Sequence, residues 1–372
     1  MEDAVTVDDV RSAAIRIAGA ISVTPCRDAP RLTDAIGVDI RLKLEQLQFT
    51  GSFKERGALN ALLQLTDEQK ARGVIAASAG NHAQGLAYHA RRLNVAATVV
   101  MPRTTPQVKV RRTREFGATV VLEGASYSEA ALHAQTLAIV GGATMVHPYD
   151  DPAVIAGGGT VALEMLRQCP EIDTLVVPVG GGGLLSGMTR AARALRPNVR
   201  IVGVRAKPAP RGATPIADGI AVDHLGAHAT AMLADAVDEW ITIDEAAVEG
   251  AMHRLMDTEK IVTEGAGAAA LAGIMQHPER FRGRCVGIVI SGGNVDPHTF
   301  AAVVGRVERD PDRSVSVRAY VMDAPGALVR VASAVAQQAA HALDSARRGA
   351  FAAATNASAE LDVTLEVRWP TC

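Results

Sequence analysis

Between residues 73 and 147, short apolar stretches alternate with longer helical ones, and few folds accept that pattern. Gly73-Val74-Ile75-Ala76-Ala77-Ser78 reads as a strand, followed by a turn over Ala79 to His82 and a helix from Ala83 to about Leu93. Ala97 to Met101 is the next strand, closed by Pro102, and Pro106 to Phe116 is a basic helix. Ala118 to Leu122 (strand), Ser126 to Val140 (helix) and Thr144 to His147 (strand) complete the run. Strands separated by helix-length connections specify a parallel sheet with helices covering it.

The chain of 372 residues has room for two domains and a small third. Apolar residues make up 48% and aromatics only 3%, so the core must be built from Ala, Val, Leu and Ile. A net charge of -2 provides no general attraction for nucleic acid or an anionic membrane. Aromatic side chains are too few for a base-stacking platform. Cys26, Cys169, Cys285 and Cys372 form no CxxC and read as reduced thiols. The acidic start, Met1-Glu2-Asp3-Ala4, lacks the apolar core of a signal peptide, and no apolar run reaches the ~18 residues of a membrane span. A cytoplasmic protein is expected.

Three glycine-rich turns and one lysine carry the chemistry. Ile40 to Glu45 alternates apolar and charged residues as a strand, and Thr50 and Ser52 offer caps for a helix from Phe53 to about Leu65. Lys54 then falls in the first helical turn, beside unpaired N–H groups and the positive end of the helix dipole. That setting depresses its pKa and makes the amine a better nucleophile. Ser78-Ala79-Gly80-Asn81-His82 joins a strand to a helix and can grip an anion with its backbone. Taken alone, Asn81 reads equally well as a residue that tolerates turn geometry. After the buried strand Thr174 to Val179 comes Gly180-Gly181-Gly182-Gly183-Leu184-Leu185-Ser186-Gly187, then a helix to about Leu195. No Gly-Lys-Ser/Thr follows, which excludes a Walker loop. Neither Gly180 nor Gly181 starts a dinucleotide fingerprint, because Leu185 and Ser186 occupy the third glycine position. Ser291-Gly292-Gly293-Asn294 closes the last strand, Val286 to Ile290.

Taken together, these segments resemble the threonine dehydratase (threonine ammonia-lyase) family, in the tryptophan-synthase-β-like, fold type II group that uses pyridoxal phosphate (PLP). The resemblance rests on Ser52-Phe53-Lys54-Glu55-Arg56-Gly57-Ala58, the Ser78 to His82 loop, the tetraglycine, Glu264-Gly265-Ala266-Gly267 and Ser291, in that order along residues 5 to 300. It implies two open, mostly parallel sheets with covering helices. Residues 1–50 and 148–312 would form a larger PLP domain and 51–147 a smaller mobile one. It further implies that Lys54 holds PLP as a Schiff base and removes the α-proton, with Phe53 packed on the ring face. Gly180, Gly181, Gly182, Gly183 and Leu184 would cup the phosphate, Asn81 would touch the ring hydroxyl and Ser291 the pyridine nitrogen. Ser78, Ala79, Gly80, Asn81 and His82 would bind the substrate carboxylate. The implied reaction is β-elimination from threonine or serine to a 2-oxo acid and ammonia, in a homodimer or homotetramer.

Several positions depart from the family. Gly158 stands where Gln is usual in Ala156 to Thr160, and Arg205 stands where relatives carry an acidic cation ligand. Arginine cannot ligate a metal, so no divalent-cation site is expected there. His224 and His228 are spaced as zinc ligands on a helix, but no third ligand accompanies them. Ala79 replaces the serine that racemases of this group use as a second acid/base, which favours the ammonia-lyase over a serine racemase. A hydroxyaspartate dehydratase and a non-catalytic amino-acid-binding regulator also fit the resemblance. From Ser314 onward, a strand (Val315 to Met322), the turn Asp323-Ala324-Pro325-Gly326, a helix (Ala327 to Ala339) and strands at Ala342 to Ser345 and Leu361 to Trp369 resemble a truncated ACT-like domain over residues 313–372.

Overall fold

The computed structural model describes residues 4–208, 215–307, 314–322, 326–337, 341–348 and 358–366. The chain opens with α1 (Val7–Ile17), β1 (Cys26–Asp28), α2 (Pro30–Ile36), β2 (Asp39–Lys43), α3 (Lys54–Leu62) and α4 (Asp67–Arg72). It continues through β3 (Val74–Ala77), α5 (Asn81–Arg92), β4 (Ala97–Met101), α6 (Gln107–Glu115), β5 (Thr119–Leu122), α7 (Tyr127–Gly141) and β6 (Thr144–Met145). Next are α8 (Pro152–Gln168), β7 (Thr174–Pro178), α9 (Gly183–Leu195), β8 (Arg200–Ala206), α10 (Ala227–Leu233), β9 (Glu239–Ile243), α11 (Glu245–Glu259), α12 (Gly265–Gln276), β10 (Cys285–Val289) and α13 (Pro297–Val307). The remaining elements are β11 (Ser314–Met322), α14 (Ala327–Gln337), β12 (His341–Arg348) and β13 (Ser358–Glu366).

Local chemistry sets many of the boundaries. Thr6 and Thr66 build capping boxes at the starts of α1 and α4. Ser126, Asp151 and Asp244 cap α7, α8 and α11 with side-chain oxygens. Gly37, at φ 75°, ends α2 in the left-handed conformation.

The chain divides into residues 1–300 and 301–372. The first unit holds two sheets. Strands β5-β4-β3-β6 form a four-stranded parallel sheet. Strands β1-β2-β10-β7-β8-β9 form a six-stranded sheet that is parallel except for β1 at its edge. The expected fold class is therefore observed. Each sheet has its own aliphatic core, one including Leu62, Leu86 and Val99, the other Met165, Leu185 and Ile201. In the second unit, β11-β13-β12 form an antiparallel sheet and α14 follows β11. The expected turn at Asp323 to Pro325 lies outside the described residues, as does Trp369.

Helix α8 has no counterpart among the sequence-based expectations, and it positions the site. A Cβ at Gly57 would lie 2.7 Å from the Val154 carbonyl, and one at Gly159 would lie 2.7 Å from that of Gly187. Glycine at these points lets α8 press its backbone against α3 on one side and α9 on the other. Helix α8 is thus the spacer between the Lys54 helix and the tetraglycine helix.

Three expectations need correction. The Lys54 helix is Lys54–Leu62, not Phe53 to Leu65, and neither Thr50 nor Ser52 caps it with a side chain. The Glu55 carboxylate reaches back to accept the Thr50 N–H instead. The strand at Thr144 is only two residues long, because the chain turns at His147-Pro148. His224 precedes α10, so it shares no helical face with His228.

Candidate active site

Lys54 is held by its two neighbours in sequence. Glu55 is buried against His89 of α5, at 3.2 Å. Arg56, fully buried, donates to both carboxylate oxygens of Glu45 at 2.7 Å and to Glu164 of α8 at 2.7 and 2.8 Å. Lys43 joins the same cluster through Glu164 at 2.5 Å. Lys43 and Arg56 balance Glu45 and Glu164, so Arg56 ties the first turn of α3 to α8 through a charge-balanced cluster, while Glu55 ties it to α5.

The flanking loops converge on that turn. Phe53 N–H donates to the Ser291 carbonyl at 3.0 Å, and Ser52 pairs with Gly292 as an antiparallel bridge. Gly293 N–H reaches the Gly51 carbonyl at 2.9 Å. Asn294 Nδ2 donates to the Thr50 carbonyl at 2.7 Å and to Asn81 Oδ1 at 2.8 Å. Asn81 in turn donates to Glu264 at 2.6 Å. Lys54 Nζ donates to the Pro148 carbonyl at 2.6 Å and lies 5.1 Å from the Phe53 ring centroid. The next residue, Tyr149, packs over the tetraglycine: a Cβ at Gly181 would overlap its ring, and one at Gly183 would overlap its carbonyl. Lys54, Asn81, the glycine loop and Ser291 are thereby brought together.

Two sets of backbone donors point into this region. Gly182, at φ 91°, precedes α9, and among the described residues the N–H groups of Gly180 to Leu184 have no backbone partner. Gly80 precedes α5, and the N–H groups of Asn81, His82 and Ala83 are likewise without a backbone partner among the described residues. Gly80 N–H turns back to Ser78 Oγ at 3.3 Å. A lysine amine flanked by two such anion-binding helix starts suits a ligand with one anionic tail and a second, separate anion.

Residues 17–292 match the family described as "Pyridoxal-phosphate dependent enzyme". The chain belongs to that family. It is 38% identical over 353 residues to an L-threonine ammonia-lyase of Thermotoga maritima, covering 91% of this chain and 88% of the relative. Among solved structures it resembles maize serine racemase (TM-score 0.76, 33% identity, 82% of this chain and 98% of that one). It also resembles the processed form of threonine deaminase isoform 2 from Solanum lycopersicum (TM-score 0.74, 34% identity, 80% of this chain and 87% of that one).

As a pyridoxal-phosphate enzyme the chain offers a fitting cradle. Glycine at 181 and 183 lets Tyr149 pack directly on the loop without a clash, and the start of α9 adds a favourable dipole. Burial pushes the Lys54 amine down to about 8, and the nearby Glu264 carboxylate partly opposes this. Burial, more than the helix dipole expected from the sequence, is the cause. Burial also drives His82 down to about 3, helped by Lys54, so the imidazole stays neutral. Its Nε2 meets the Val146 carbonyl at 3.1 Å, while Nδ1 is buried without a partner. The Ser52 hydroxyl is likewise buried and unpartnered.

Three site features are not evident from the sequence. There, Tyr149 is unmarked, Asn294 ends a glycine-rich turn and Glu264 opens a family-like segment with no role attached. The available signal is position: a carboxylate opening an otherwise small-residue, apolar helix has no reason to be there for packing. The basic stretch Lys109 to Arg114 is largely a solvated face, except that Lys109 pairs with Asp218 at 2.5 Å. Among the described residues no cluster of His, Cys, Asp and Glu has metal-binding geometry, and no helix is long and apolar enough to cross a membrane.

Proposed function

We propose that this enzyme eliminates ammonia from L-threonine, and from L-serine, giving 2-oxobutanoate or pyruvate. The observation that carries the reading is the placement of Lys54 Nζ. It rests on Pro148, whose neighbour Tyr149 lines the glycine loop, while Asn81 opens the α5 anion site.

PLP, held by Lys54 and by the amides of Gly180 to Leu184, supplies an electron sink for charge developing at the substrate α-carbon. The chain's own groups do the rest. The amides at the start of α5, from Asn81 onward, bind the substrate carboxylate, with Ser78 bracing Gly80. Asn81 would meet the ring hydroxyl of the bound cofactor, and Ser291, neutral, would serve its ring nitrogen. A hydroxyl would not hold that nitrogen protonated as a carboxylate would, so the cofactor would supply a milder electron sink, suited to prompt loss of the β-hydroxyl. With its pKa brought down to about 8, Lys54 is a free amine in about a tenth of molecules at pH 7, far more than an ordinary lysine, and accepts the α-proton. The substrate loses water and regains one as ammonia departs, so L-threonine becomes 2-oxobutanoate and ammonia. Racemisation needs a second acid/base across from Lys54, and Ala79 carries no transferable proton. Residues 51–147 act as the smaller domain, closing against residues 1–50 and 148–312, and the protein works as a homo-oligomer.

The test is an assay of PLP-loaded protein with L-threonine, L-serine and 3-hydroxyaspartate, reading 2-oxo acid and ammonia. Equal amounts of both from threonine, with borohydride fixing the cofactor on Lys54, are expected. Cofactor bound on Lys54 but no 2-oxo acid from threonine would reject the substrate, and adduct on another lysine would reject the site.

A further inference from the structure

Glu264 is a carboxylate buried to 7% exposure whose role no packing argument explains. It precedes α12 but makes no side-chain cap there. Its Oε1 accepts from Asn81 Nδ2 at 2.6 Å, and Asn81 Oδ1 accepts from Asn294 at 2.8 Å, so the Asn81 amide has one orientation. One Asn81 N–H remains for another acceptor. The loop that carries Ser291 closes over the same carboxylate, for a Cβ at Gly292 would overlap Glu264 Oε1.

We propose that Glu264 is a positioning residue of the Lys54 site: its carboxylate fixes the Asn81 amide, and its charge bears on the Lys54 amine. The proposal rests on the reading of Lys54 as the cofactor lysine and deepens it. Burial and the charge of Asp218 push Glu264 up to about 7, against the opposing pull of Asn81, Lys109 and the Asn294 backbone. Lys54, at about 8, is faced by Glu264, His82 and His147, and both imidazoles are held toward neutrality by burial. An ionised Glu264 therefore holds the Lys54 proton more firmly, and a protonated Glu264 releases that hold. When Glu264 is ionised it attracts the Asn81 N–H; when it is protonated, the O–H competes for Asn81 and loosens the orientation.

The experiment uses Glu264→Gln, which keeps the shape and an acceptor for Asn81 but carries no charge. Protein freed of cofactor is reductively methylated with 13C, and the Lys54 resonance, assigned by its absence in Lys54→Ala, is titrated by NMR. The Lys54 midpoint is expected to fall by about one pH unit in the variant, because an attractive charge has gone. In the wild type the same resonance should show a second inflection near pH 7 as Glu264 ionises. This second reading needs no variant and survives any folding defect. An unmoved midpoint, or a wild-type curve with a single inflection, overturns the proposal. Failure of the cofactor reading would show separately, as a wild-type protein that forms no PLP adduct on Lys54.

Discussion

Lys43 and Lys54 are both withdrawn from water, yet they are surrounded in opposite ways. Lys43 donates to the Thr24 carbonyl at 2.6 Å, Glu164 at 2.5 Å and Gln168 at 3.1 Å, which uses all three of its donors. Lys54 has one acceptor, the Pro148 carbonyl. Burial lowers the pKa of both, but at Lys43 the carboxylates of Glu45 and Glu164 oppose it directly, while Lys54 has only the more distant influence of Glu264. The same contrast separates the regions around them. In the cluster of Glu45, Arg56 and Glu164, every cation has its carboxylate. Around Lys54, the Ser52 hydroxyl and His82 Nδ1 are buried without partners, and two helix starts offer free amides. Buried polar groups are normally paired, so a concentration of unpaired ones marks where a ligand completes the structure.

Exchanging the two kinds of residue should separate function from stability. Lys54→Ala is expected to lose at least ~10³-fold in turnover of threonine while unfolding in denaturant near the wild-type midpoint. Arg56→Ala leaves Glu45 and Glu164 facing one another in the interior and should cost about 3–5 kcal/mol in the same unfolding experiment. If Lys54→Ala proved as unstable as Arg56→Ala, the distinction between a satisfied and an unsatisfied lysine would collapse. A smaller effect separates two glycines beside the cup. A Cβ at Gly181 overlaps the Tyr149 ring, so Gly181→Ala should weaken PLP binding by about 1–3 kcal/mol, read by fluorescence titration of the cofactor-free protein. At Gly158 a Cβ would lie 3.7 Å from Leu184 Cα, an ordinary contact, so Gly158→Ala should bind PLP within about threefold of wild type.

The contrast also explains what the sequence discloses. The sheets are legible because alternating apolar runs and glycine turns are local signals, and β3, β4 and β5 appear within a residue or two of their expected ends. Lys54, Asn81, the tetraglycine and Ser291 are legible because each stands in a short recognisable stretch. Helix α8 is not, since three consecutive glycines inside a helix contradict propensity, and the close approach of α3 and α9 accounts for Gly157 and Gly159 but not for Gly158. The pairing of Arg56 with Glu45 and Glu164 joins residues on separate elements, which no local pattern announces. Glu264 is hidden for the same reason, because its partner Asn81 lies 183 positions away.

The smallest expected effect tests how far the unsatisfied region extends. Lys109 of α6 pairs with Asp218, with both side chains partly exposed at 30% and 42%. An ion pair this wet contributes about 0–1 kcal/mol, so Lys109→Ala should barely change the unfolding midpoint. The consequence for Glu264 is more telling. Lys109 lowers its pKa and Asp218 raises it, so removing the lysine leaves only Asn81 and the Asn294 backbone to oppose the acidic neighbour. Glu264 should then hold its proton to higher pH, and activity at pH 7 relative to pH 9 should fall by about twofold. Lys109→Arg restores the charge and should restore the ratio, whereas a purely mechanical latch would alter kcat equally at both pH values. A ratio unchanged in Lys109→Ala would confine the influence on Lys54 to Glu264 and Asn81, and the solvent-exposed pair would then belong with the satisfied, structural charges.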